Sequence, residues 1–100
     1  MPAVEYLQAQ RARTKLIDDL NAVIQDVDLY LAPSYCRNLW MTNASGHPAV
    51  AVPNGFRENG LPSTVTLTGH YDDEARLLAV AKAYQAVTDF NRQIPPDFAP

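Results

Sequence analysis

The stretch Asn43–Gly69, NASGHPAVAVPNGFRENGLPSTVTLTG, decides the fold. It holds two strand candidates, Ala49–Val52 and Thr64–Thr68, joined by the turn-rich link PNGFRENGLP. Thr64-Val65-Thr66-Leu67-Thr68 alternates strictly, with Val65 and Leu67 on one face and threonines on the other. Valine and threonine are β-branched, stiff at χ1 and suited to a pleated surface. Ala49-Val50-Ala51-Val52 is apolar at every position and bounded by Pro48 and Pro53. Such a run predicts a strand covered on both faces. Asn54-Gly55 and Asn59-Gly60 are turn dipeptides, and two of them in one link predict a long hairpin loop.

Working outward, Thr42–His47 predicts a single helical turn, capped by Thr42 or Asn43 and ended by Gly46. Leu29–Ala32 is a third strand candidate, again without polar alternation, and Pro33 stops it. Between these two, Ser34–Thr42 reads as an irregular loop carrying Tyr35, Cys36, Leu39, Trp40 and Met41. These large groups either plug the edge of a core or line a pocket. Upstream, Pro2 to about Asp26 reads as one helix, with Leu16, Ile17, Leu20, Val23, Ile24 and Val27 on one face. A second apolar patch, Val4, Tyr6 and Leu7, needs a cover. Downstream, Asp72 is the expected N-cap of a helix reaching about Phe90. Leu77, Val80, Ala81, Tyr84 and Val87 mark its buried stripe, widened by Leu78. Pro95-Pro96 ends regular structure. The expected class is α/β: helix, strand, short helix, β-hairpin, helix.

The chain has 100 residues, 47% of them apolar and 19% charged, which excludes a disordered chain and allows one domain. A net charge of −3 offers no basic surface for nucleic acid. No apolar run is long enough to span a membrane, and MPAVEYLQAQ lacks the regions of a signal peptide. Cys36 is the only cysteine, so no internal disulfide forms, and a cytoplasmic protein is the simplest expectation.

Chemistry is sparse. Cys36, His47 and His70 show no zinc-ligand spacing. His70 with Asp72, Asp73 and Glu74 could imitate a metal cluster, but acidic residues at a helix start need no metal to account for them. Cys36 with a histidine could serve as a nucleophile, but nothing local supports that, and a lone cysteine is more often a small buried hydrophobe. No phosphate-binding glycine loop is present. Neither a metal nor a cofactor is expected.

The ordered pieces Asn43-Ala44-Ser45-Gly46-His47-Pro48-Ala49, Val52-Pro53-Asn54-Gly55-Phe56, Gly60-Leu61-Pro62 and Gly69 to Leu78 with Glu74 resemble the C-terminal part of the amidase signature family. The Ala83–Phe90 tail before Pro95-Pro96 fits as well. So do Glu5-Tyr6-Leu7, Arg11 and Arg13 in the first helix, with Asp28 and Pro33 after it. The resemblance implies a single partial domain over residues 1–100, contributing to a mixed sheet covered by two long helices. It implies hydrolysis of a carbon–nitrogen amide bond by a serine, with a second serine and a lysine moving protons. Those groups lie upstream of the matched segment in a Gly/Ser-rich region. Ser34, Ser45, Ser63, Lys15 and Lys82 lack that context, so no catalytic residue is assigned and the chain alone is expected to be inactive. The family's substrate cleft maps onto Cys36–Thr42. Cys36, Leu39 and Trp40 are therefore the expected substrate-binding residues, suited to an apolar acyl or aryl group. The implied partner is a small-molecule amide substrate. Apolar strands without cover further predict a homo-oligomer, most simply a dimer. A stand-alone, self-associating structural module derived from an amidase is the alternative.

Overall fold

Pro2, in extended backbone, leads into α1 (Ala3–Val23), where its missing N–H costs nothing. This computed structural model describes residues 1–100. After α1 come β1 (Leu29–Pro33), α2 (Arg37–Ser45), β2 (Ala49–Phe56), β3 (Pro62–Gly69) and α3 (Glu74–Val87). Short 3₁₀ turns at Phe90–Arg92 and Pro96–Phe98 follow.

The three strands form one sheet in the order β1-β3-β2, and both pairings are antiparallel. The expected mixed sheet is not found. β3 enters between β1 and β2, so the two strands joined through α2 run parallel without touching. The register puts Leu29, Leu31, Val65, Leu67, Val50 and Val52 on one face. That face meets α3, and Val52, Leu67, Leu77 and Ala81 form its buried centre, with Leu29, Val50, Val65 and Tyr84 packed around it. The opposite face carries Tyr30, Ala32, Ala49, Ala51, Thr64, Thr66 and Thr68.

Several expectations are corrected. Ser34–Thr42 is not a loop, because α2 starts at Arg37 and absorbs the predicted helical turn. Its buried residues are Thr42 and Ser45, so the inward stripe is polar and gives no apolar period to read. Gly46 ends it, as expected, in the left-handed conformation at φ 80°. Asn54-Gly55 is no turn but lies in β2, where the register shifts between Pro53 and Phe56 and Gly55 takes φ 84°. Asp73, not Asp72, precedes α3, and Asp72 sits at φ 63° in the turn before it. The two long helices end at Val23 and Val87, short of the expected Asp26 and Phe90.

Cover on both strand faces is also absent, since Ala49, Ala51 and Leu31 are exposed. Of the predicted stripes, Leu20, Ile24, Leu77 and Ala81 are buried, whereas Val23, Val27, Leu78 and Val87 face outward. The radius of gyration is 17.0 Å. A compact chain of this length would have about 13 Å. No helix is long and apolar enough to cross a membrane.

Candidate functional site

The threonine face of the sheet and α2 enclose a cleft of about 560 Å³. Ala51, Thr64 and Thr66 floor it, and Asn38, Leu39 and Thr42 of α2 wall it. Two hydrogen bonds hold α2 and the turn before it over the sheet. The Tyr30 hydroxyl donates to Asn38 Oδ1 at 2.6 Å, and the Ser34 and Thr66 hydroxyls pair at 2.8 Å. Burial pushes the Tyr30 phenol above its ordinary pKa, against the pull of its hydrogen bond to Asn38, so it stays a donor. Thr68 on the same face is fully buried, and its hydroxyl has no hydrogen-bond partner.

A second cleft of about 380 Å³ adjoins the first. Tyr35, Cys36, Arg37, Leu39 and Trp40 line it. Tyr35 and Leu39 belong to both clefts, so a polar basin and an apolar one share a ridge. All three residues expected from the sequence, Cys36, Leu39 and Trp40, therefore come together. Trp40 is 79% exposed, so within this chain it plugs no core. The Cys36 thiol donates to the Pro33 carbonyl at 3.1 Å, which leaves its hydrogen engaged by the backbone.

The corner after α2 holds a buried histidine hydrogen-bonded at both ring nitrogens. His47 is 5% exposed, with Nδ1 2.8 Å from Ser45 Oγ and Nε2 2.8 Å from Asn21 Oδ1. Asn21 offers a carbonyl oxygen, so Nε2 carries the proton and Nδ1 accepts from the serine hydroxyl. The ring stacks on Tyr71 at 4.3 Å, and the Tyr71 hydroxyl donates to the Ser45 carbonyl. Burial, helped by His70 nearby, lowers the His47 pKa and keeps it neutral.

Ser45, His47 and Asn21 thus repeat the contacts of a nucleophile, a base and an orienting amide. Ser45 is only 2% exposed, however, so no substrate carbonyl reaches its Oγ. The group ties α1, α2 and the loop after β3 together and carries no nucleophile. The other histidine is engaged too: His70 Nε2 donates to the Val27 carbonyl at 2.7 Å. Asp73 and Asp28 both pair with Arg76.

Sequence reasoning placed the cleft along Cys36–Thr42 without singling out Asn38 or Thr42, and it missed His47 as a cleft residue. The NASGHP corner and the threonine alternation were the available signals, because each places polar groups where an apolar core would otherwise stand.

The chain is a helix–strand–helix–hairpin–helix unit with an open cleft, and its one buried serine, Ser45, is sealed from that cleft. The chain is homologous to the C-terminal part of amidase-signature enzymes. It is 36% identical over 113 aligned residues to a glutamyl-tRNA(Gln) amidotransferase subunit from Thioalkalivibrio sulfidiphilus, covering 93% of this chain and 23% of that protein. The subunits of the same name from Alkalilimnicola ehrlichii and Bordetella petrii are each 34% identical, over 93% and 90% of this chain. The chain thus spans less than a quarter of the length of these relatives. No family model matches it.

Proposed function

We propose that the chain is the C-terminal structural segment of an enzyme that cleaves carbon–nitrogen amide bonds, and that it supplies a wall of the substrate cleft. The observation that carries this reading is similarity across nearly the whole chain to proteins of which it spans only 23%. Hydrolysis and amido transfer both begin by breaking the amide bond, so the reading covers both. The relatives are named for a glutamyl-tRNA; with a net charge of −3, this segment offers no basic face of its own for one. A small amide is the partner the clefts suit, and a cytoplasmic setting fits the free Cys36 thiol.

In this reading Cys36, Leu39 and Trp40 contact the apolar part of the substrate. Their shared cleft and the amide and hydroxyl groups across the Tyr35–Leu39 ridge support it. In this reading the nucleophile comes from outside the chain, from the Gly/Ser-rich region the resemblance places upstream; within the chain Ser45 is sealed and Ser34 is paired with Thr66. Assay of the purified chain against simple amides tests this. No turnover is expected; turnover abolished by Cys36→Ala or by a serine substitution within the chain would refute it.

A further inference from the structure

Asn38 is a half-buried residue of α2 on the wall of the polar basin. The Tyr30 hydroxyl meets its side-chain oxygen at 2.6 Å. That length suits an O–H···O bond and is too short for an N–H···O bond, so the amide oxygen is the atom turned to Tyr30. Nδ2 then keeps both hydrogens, and no acceptor within the chain takes either. Thr68 Oγ1 is the only sealed polar side-chain atom left unpaired, so Nδ2 stays open to the cleft that Asn38 lines.

The rest of the basin is polar and uncharged. Thr42, Asn43 and Thr64 stand with Asn38, and no charged side chain lines it. The adjoining apolar cleft carries Arg37, and none of the chain's 11 acidic side chains lines either one. The two clefts therefore offer donors to an oxygen and no counter-charge to an ammonium group. Apolar protein packed against this basin would leave its amides and hydroxyls buried without partners, at a cost for each. A small ligand with an oxygen acceptor meets Nδ2 directly.

We propose, on the reading of this segment as a cleft wall of an amide-cleaving enzyme, that Asn38 is a substrate-binding residue and Tyr30 its positioning residue. Asn38 Nδ2 donates to an oxygen of the substrate's acyl portion, while the apolar part crosses the Tyr35–Leu39 ridge to lie against Trp40. The substrate class is an amide with an apolar group beside an oxygen acceptor and no ammonium group on that side. Tyr30 acts by holding the amide oxygen. Without its hydroxyl the Asn38 side chain turns and presents oxygen as readily as nitrogen.

Trp40 is the only tryptophan, so its emission reads the apolar cleft, and the Asn38 side-chain amide signals in NMR read the basin. Phenylacetamide, ethylbenzene and phenethylamine are titrated into the 100-residue chain. Phenylacetamide should move both signals and bind more tightly than phenethylamine, which carries an ammonium group. Tyr30→Phe and Asn38→Leu should each weaken phenylacetamide roughly three- to tenfold, the share of one hydrogen bond, and leave ethylbenzene unchanged. Equal loss of both ligands would show that α2 has merely shifted, and would overturn the proposal. So would no binding, phenylacetamide binding that both variants retain, or tighter binding of the amine. Each of those results leaves an inactive amidase segment standing, whereas turnover by the chain alone, with Asn38 still binding the amide, would sink that reading and not this one.

Discussion

Replacing His47 with alanine removes the contacts that join three parts of the chain. Two hydrogen bonds at 2.8 Å disappear, one to Asn21 and one to Ser45. Each contributes about 0.5–1.5 kcal/mol net. The stacking on Tyr71 at 4.3 Å adds about 0.5–1.5 kcal/mol. Together these give a loss of roughly 2–4 kcal/mol. For a domain of this size that lowers Tm by roughly 10–30 °C. A second arm uses pH. The folded-state pKa of His47 is depressed by burial, so the unfolded chain takes up its proton first as pH falls below about 6.5. The stability His47 provides is therefore present in full above that pH and is lost as pH falls through its folded value. His47→Gln cannot titrate, so wild type should lose ground to it between about pH 7.5 and pH 5. Urea melts of the three proteins at both pH values measure this. If His47→Ala stays within about 0.5 kcal/mol of wild type, or the gap to His47→Gln does not change with pH, the buried knot is not what holds α1 to the body.

Leu77→Ala empties the centre of the contact between α3 and the sheet and should cost about 2–5 kcal/mol by denaturant melts. Gly46→Ala forces a Cβ into φ 80° and should cost about 1–2 kcal/mol, leaving α2 frayed in amide exchange. Trp40→Ala should leave stability within about 0.5 kcal/mol, because the ring is exposed. In a longer enzyme carrying this segment, the same change should lower kcat/KM for amides with apolar acyl groups more than for acetamide; equal effects would remove Trp40 from the cleft.

The β-hairpin was legible because Thr64–Thr68 alternates and its β-branched residues leave few other conformations. The αL end at Gly46 was legible for the same local reason. What failed was non-local. Asn54-Gly55 reads as a turn in isolation, but pairing along β2 continues past it and turns the glycine into a bulge. α2 was hidden because its inward side chains, Asn38, Thr42 and Ser45, bond to Tyr30, to the helix backbone and to His47 instead of packing in oil. Leu31 and Val87 look like core residues because their spacing marks the faces that meet in a sheet and helix layer. In this chain those faces run out before the residues do. The cleft residues Cys36, Leu39 and Trp40 were legible as large groups in a short span, whereas their polar neighbours across the ridge depend on a register that no local pattern encodes.

The most direct measurement grafts residues 1–100 in place of the matched C-terminal segment of the Thioalkalivibrio sulfidiphilus protein, and then follows amide cleavage. A segment that completes an amidase-signature enzyme predicts a chimera that melts cooperatively and turns over, while the ungrafted chain and the truncated relative do not. A cooperatively folded chimera without activity, whose truncated parent is active on its own, would contradict it.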